Sequence, residues 1–417
     1  MATTTSAETT TTQLDPTRWR ALSFCLIGAF MVMFDTSMMN AIVPTMQTAL
    51  HMSPTQVTWA SAGFSLAGAV TLVPAGRLGD DFGRRRMFAI GMTLFLLASL
   101  SCGLAPNGTW LVVSRFAMGC AGSIVVPQII GLVQQLFAGK ERAKAFGVYA
   151  ALVAMSTAWG PLLAGQVVDG FGPQDGWRYI FFMGMPVSLL SLILGYRMMP
   201  KAPSSPAVKT GHDFAGAVLL GLALFSIVLP IAENGDAGVN PPWWLLGVGA
   251  ALLGAFLLWE RSLDQRGLHP MVKPRLLTLP SFSFSFLTCL FFYAAFPPIF
   301  IVLQIYFQRG LHYSAVQSSL GTVLFPIGSM SGALISGRLV PSFGRRMVVA
   351  GCLMMTVGLG SAALLCMSWT GGNVPLVLAP SLLVCGLGAG LVISSNQTLG
   401  LHDIPKSDSS TAGGTYQ

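Results

Sequence analysis

Charge is what this chain has least of. Of its 417 residues only 9% are Asp, Glu, Lys or Arg, against roughly 25% in a soluble domain, which excludes a protein that lives in water. Cysteine chemistry is absent too. Seven cysteines lie inside or beside apolar runs and none makes a Cys-x-x-Cys pair, so they read as small apolar packing residues. The five histidines sit in loops or termini without metal-ligand spacing. No His or acid cluster falls within an apolar run, and no sizeable polar domain exists. Nothing therefore supports an enzyme, a membrane receptor or a metal site, and no cofactor is expected. The first residues lack a basic n-region and the apolar run that follows is too long for a secretory signal.

What is present is apolar length. Hydrophobic residues make up 53% of the chain, in runs of about 18 residues or more that can each cross a bilayer core of roughly 30 Å. Twelve such spans can be placed between Trp19 and Thr398. They are expected to be helices, because lipid offers backbone groups no partners. Twenty of the 23 Lys and Arg fall at the N-terminus, in loops after even-numbered spans or in the C-terminal tail. Arg178 and Arg309 lie on the other side, and Arg115 lies inside span 4. The positive-inside rule then puts both termini in the cytoplasm. The net charge of +8 is spread over these loops, so it forms no nucleic-acid patch.

One short basic segment occurs twice. Gly76-Arg77-Leu78-Gly79-Asp80-Asp81-Phe82-Gly83-Arg84-Arg85 returns as Gly337-Arg338-Leu339-Val340-Pro341-Ser342-Phe343-Gly344-Arg345-Arg346, 261 residues later. Repeats of this kind build secondary transporters. Eight spans separate the copies where a simple six-plus-six duplication would place six. Two extra spans, 7 and 8, fit between the polar stretches 201–213 and 260–278. The expected layout is a disordered cytoplasmic segment over 1–17, a six-helix bundle over 18–200, an inserted helix pair over 201–275, and a second bundle over 276–417. By that symmetry the second bundle is two helices short, a fourteen-span design cut to twelve.

Asp35 is the only acid deep in a span, and intramembrane ionisable residues are functional candidates by default. Desolvation narrows the gap between charged and neutral forms, so Asp35 is a candidate to exchange a proton; a structural role in pairing or capping is the other reading. Arg115 falls at a compatible depth, and a pair between the two is geometrically possible, as a switch or as structure. In the repeated loop Gly76, Gly79 and Gly83 permit a tight turn, Asp80 can face a helix N-terminus, and Arg84 and Arg85 can hold the loop at the headgroups. That gives a gating candidate. In span 5, Pro161 can kink the helix, and Gly160 and Gly165 permit close helix contact.

These residues carry a resemblance. The loop from Gly76 to Arg85 resembles the signature after helix 2 of the major facilitator superfamily. Leu111 to Gly122, with Arg115 and Gly119, resembles its helix 4 signature linked to proton transfer. Ser156 to Gly165, with Gly160 and Pro161, resembles the helix 5 signature of antiporters, with Ala164 and Ser156 in place of two glycines. Phe34-Asp35-Thr36, with Asn40 and Pro44, resembles helix 1 of the fourteen-helix drug:proton antiporters, and Trp177-Arg178-Tyr179-Ile180-Phe181 resembles the start of their helix 6. The resemblance implies an all-α major facilitator fold of two six-helix bundles and an inserted pair. It implies proton-driven export of hydrophobic or amphipathic drug-like compounds, hydrophobic or cationic, by a monomer in a bacterial cell membrane, with the proton as coupling ion. Asp35 and Arg115 would couple; Met31, Phe34, Met38, Asn40, Gln128, Phe296 and Gln304 are substrate-lining candidates. A dedicated exporter of one metabolite or self-made antibiotic is the alternative, and a proton-coupled uptake symporter a further one.

Overall fold

A computed structural model describes residues 18–137, 139–172, 174–200, 213–234, 240–268, 270–368 and 373–400. The expected disordered segment 1–17, the linker 201–212 and the tail 401–417 lie outside the described residues. Within the described residues the chain forms fourteen α-helices and no strand. The first half holds α1 (Arg18–Ala49), α2 (Pro54–Phe82), α3 (Arg84–Gly103), α4 (Gly108–Leu136), α5 (Gly139–Phe171) and α6 (Gly176–Met198). A pair follows, α7 (Phe214–Glu233) and α8 (Trp244–Gln265). The second half holds α9 (Pro280–Ala295), α10 (Pro297–Ile305), α11 (Ala315–Thr322), α12 (Leu324–Phe343), α13 (Arg345–Ser368) and α14 (Val374–Gly400).

Among the described residues, ten stretches are long and apolar enough to cross a membrane, with residues 280–310 (α9, α10 and the turn after them) as one crossing and α11 with most of α12 as another. At 29 and 33 residues, α2 and α5 are also long enough to cross. Span 9 is broken rather than continuous: Pro297 and Pro298 start α10, and a π turn over Tyr306–Gly310 ends it. Exposed apolar side chains such as Leu97, Val113, Phe284, Phe291, Val357 and Leu364 cover the outside, the inverse of a water-soluble surface.

The repeat is visible as geometry. Gly83 links α2 to α3 as a single residue with φ +92°, and Gly344 links α12 to α13 in the same way with φ +50°. Both need the left-handed region that only glycine enters freely. Packing repeats as well: α4 lies against α2 and α3, and α14 lies against α12 and α13. In each half glycine lets backbones touch. A Cβ on Gly119 would lie 2.2 Å from the Phe64 carbonyl oxygen, and one on Gly390 would lie 2.0 Å from that of Ser329.

The inserted helices pack on each other and dock α7 onto α2, with Trp59 stacked on Phe225 at 5.3 Å between centroids and the Thr55 hydroxyl donating to the Ala232 carbonyl at 3.2 Å. Glu260 is fully buried at the base of α8, where it accepts the Val272 N–H at 3.0 Å. The sequence reading had placed it in a loop.

Candidate functional site

The first bundle is built so that α1, α2 and α4 meet at one point. Gly122 lets α4 approach Val32 of α1, and Gly119 lets it approach the backbone of α2 at Phe64. On the other flank of α1, Gly160 of α5 faces Ser37, whose Oγ would lie 2.7 Å from an added Cβ. These close approaches leave Asp35 2% exposed and Arg115 1% exposed. Their side chains are in direct contact, Arg115 NH1 donating to Asp35 Oδ2. Arg115 Nε also donates to the Ala60 carbonyl at 3.1 Å, and its guanidinium lies 4.6 Å from the Phe64 ring centroid. The cation thus has three kinds of partner: a carboxylate, a carbonyl and a π face.

The carboxylate is less well served. Asp35 Oδ1 is buried with no hydrogen-bond partner among the described residues. Beside it lies a cavity of about 10 Å³ walled by α1, α3, α4 and α6, with Ser99 and Ser188 as its other polar residues. Met31, Phe34 and Met38 line this cavity. They therefore gather around Asp35 inside the first bundle. Phe296 and Gln304, proposed with them as substrate contacts, lie in the second half. Phe296 centres an aromatic cluster with Phe292, Phe300 and Phe325 at 4.8–5.4 Å, and Gln304 accepts a hydrogen bond from Gln308 at 3.0 Å. The structure does not bring the two groups together. The side chain of Asn40 lies outside the described residues.

The loop between α2 and α3 is tied to its own bundle. Gln128 donates to the Ala75 and Ile124 carbonyls at 2.9 and 3.1 Å, and its amide fills the space over Gly79. Gly76 lies 3.7 Å from Pro127, counted from an added Cβ. Arg84 runs across Gly131 of α4, and Arg85 lies over the Tyr196 ring at 4.2 Å. The Asp80 side chain lies outside the described residues.

The halves meet at the end of the molecule remote from these basic turns. Gln308 donates to the Ala41 carbonyl at 3.3 Å, and Arg309 donates to Gln47 Oε1 at 2.6 Å. Ser319 of α11 donates to the Pro161 carbonyl of α5 at 2.8 Å; Gly165, one turn further along α5, is buried. Sequence reasoning missed Gln47, Gln308 and Ser319, which are ordinary polar residues near helix ends. It also gave Arg178 no role, although its guanidinium caps α3 through the Gly103 and Ala105 carbonyls at 3.0 and 2.7 Å.

Comparison with known proteins fits this geometry. The profile of the Major Facilitator Superfamily matches residues 25–417. The chain is 30% identical over 402 residues to the probable actinorhodin transporter of Streptomyces coelicolor, covering 95% of this chain and 69% of that protein. It is 29% identical over 395 residues to the multidrug resistance protein Stp of Mycobacterium tuberculosis, covering 93% and 70%. Among solved structures it superposes on the partially occluded inward-open xylose transporter XylE from E. coli with a TM-score of 0.63 at 14% identity, covering 96% of this chain and 88% of that one. At that identity the likeness speaks for the fold alone.

Proposed function

We propose a function from one settled premise: the chain belongs to the Major Facilitator Superfamily. It is a proton-coupled exporter of hydrophobic or amphipathic drug-like compounds. The observation that carries this is the buried Asp35–Arg115 pair with one carboxylate oxygen left over. A satisfied structural ion pair would use both oxygens; this one retains a site for a proton.

In the ionised form Asp35 holds Arg115 by charge. Protonation removes that charge, and Arg115 then rests on the Ala60 carbonyl and the Phe64 ring, partners it already has. The exchange alters how tightly α1 and α4 are held while α2 keeps its grip on the cation. Because α1 and α5 also carry the contacts to α10, α11 and α12, a change at α1 reaches the seam between the halves. Links at Gln308–Ala41, Arg309–Gln47 and Ser319–Pro161 close that seam at the end away from the basic turns. With the basic turns cytoplasmic, these links lie on the outer side of the membrane. The substrate path runs between the halves along α1, α5 and spans 9 and 10, where the Phe296 cluster offers an apolar surface. The repeated loop, braced on α4 by Gln128 and Arg84, holds α2 and α3 as one body during the movement. One proton falling through 100 mV yields roughly 2.3 kcal/mol, enough for about a 40-fold gradient of a neutral compound.

The two bundles and the inserted pair act within one monomer in a bacterial cell membrane, with no cofactor besides the proton. A dedicated exporter of one antibiotic is the second reading, favoured by the likeness to a protein named as an actinorhodin transporter.

The deciding experiment is uncoupler-sensitive efflux of a fluorescent cationic dye from cells, with Asp35→Asn beside the unmodified protein. Loss of energised efflux in Asp35→Asn supports the reading, and unchanged efflux overturns coupling at Asp35. A panel of unrelated dyes and antibiotics separates multidrug export from a dedicated carrier.

A further inference from the structure

We infer that Asp35 takes its proton from a single water held inside the first bundle, on the side away from the substrate path. The inference rests on the coupling role proposed for Asp35. The cavity beside Oδ1 is about 10 Å³, about the size that admits one water. Such a water needs two to four polar partners, and three of the lining residues carry polar side chains: Asp35, whose Oδ1 has no other partner, Ser99 and Ser188. Ser99 donates its proton to the Phe181 carbonyl at 3.1 Å, so its lone pairs are left to accept from the water. The rest of the wall is apolar, with Phe95, Met118 and Ile180 among it, so the water is fixed at the polar corner.

The placement decides the route. The helices α3 and α6, which supply Ser99 and Ser188, pack against α1, α2, α4 and α5 in the first half. The second half meets α1 and α5 instead. The cavity that Asp35 lines therefore lies within its own bundle, among α1, α3, α4 and α6. Ser99 is four residues, about 6 Å along the helix, from Gly103 at the end of α3 that lies away from the basic turns. Toward that end the α3–α4 seam carries a second polar rung. Ser101 and Ser114 share a hydrogen bond at 2.7 Å, and Trp110 Nε1 donates to Ser101 at 3.0 Å. When the halves are closed at that end, the cavity still lies within the first bundle, apart from the closed contacts. A hydronium there gives its proton to Oδ1, leaving water and a neutral carboxyl group. Arg115 of α4 is the charged group in contact with Asp35, and Cys102 of α3 is a buried titratable group on a helix lining the cavity. Among the described residues, α6 contributes Ile180, Phe181, Gly184 and Ser188 to the cavity, and α2 contributes Ala60 and Phe64 at Arg115. Ser99 and Ser188 are thus positioning residues for proton transfer, separate from the substrate path.

The test uses the full chain in proteoliposomes. One variant is the double replacement Ser99→Ala with Ser188→Ala, which removes two water partners without adding volume. A second is Gly184→Ala, which adds a methyl where the nearest neighbour is the flexible end of Met31 at 2.9 Å. Dye binding without a gradient, dye counterflow and transport driven by a pH gradient are measured for each, with Asp35→Asn alongside. The expected result is driven transport slowed about tenfold or more, with dye affinity and counterflow retained. Unchanged driven transport in both variants, while Asp35→Asn abolishes it, overturns the water route and leaves coupling at Asp35 standing. Unchanged driven transport in Asp35→Asn overturns the coupling reading and the route with it.

Discussion

Asp35 in the first half and Phe296 in the second stand 261 residues apart, the same spacing as the two copies of the basic turn. The scaffolds around them match, with a one-residue glycine turn and a glycine-lined helix seam in each half. The two positions do not. At Asp35 the helix is continuous and the side chain holds a buried cation. At Phe296 the helix breaks before Pro297 and Pro298, and four aromatic rings fill the space. One duplicated frame thus carries a buried ion pair on one side and an aromatic cluster at a helix break on the other. Charge suits a proton; a broken aromatic helix suits a greasy substrate and a movable wall. Division of labour between halves follows from what each buried position can bind.

Breaking the buried ion pair should have the largest effect. Arg115→Met leaves the Asp35 carboxylate buried without its cation, a loss of about 3–5 kcal/mol. Energised dye efflux is expected to vanish, and thermal unfolding of the purified protein to move to lower temperature. If Phe296→Leu did the same, the contrast between halves would fall. Next comes the shared frame. Gly119→Leu and Gly390→Leu each force a side chain into a facing carbonyl, at a cost of about 3 kcal/mol. Similar drops in melting temperature for the two variants would sharpen the likeness of the halves; a drop in only one would break it. Phe296→Leu itself should cost about 1 kcal/mol of ring contact. It should shift dye affinity several-fold while the pH-gradient dependence of transport stays as it was, which direct dye titration can check. The smallest effect belongs to Arg309→Ala. Its exposed bond to Gln47 is worth no more than about 1 kcal/mol. A thiol introduced by Ala41→Cys should then label faster from outside, with efflux little changed.

Much of this was legible residue by residue. A lone deep acid, a lone intramembrane cation and a repeated turn mark themselves, because charge and left-handed glycine are costly in lipid-facing helices. Ser99 and Ser188 gave no signal, since serine is common in apolar helices and only its neighbours reveal a use. Gln128 looked like a cavity residue and instead fills the space over Gly79. Glu260 looked like a loop residue and is buried. Met31, Phe34 and Met38 stood in the sequence only as substrate-lining candidates alongside Phe296 and Gln304; the structure sets them beside Asp35. Their separation from Phe296 could not be read, because it depends on which face of α1 meets the second half.

By itself the sequence determined that this protein crosses a membrane many times, is internally duplicated and keeps one acid and one cation in its spans. Those features follow from chain-local energetics: the cost of polar groups in lipid and the backbone freedom of glycine. The tertiary structure alone decided that Asp35 and Arg115 touch, that one carboxylate oxygen is left without a partner, and that Ser99 and Ser188 line the same small cavity as Asp35. Those depend on how helices rotate and approach, which is set by packing between residues far apart in the chain.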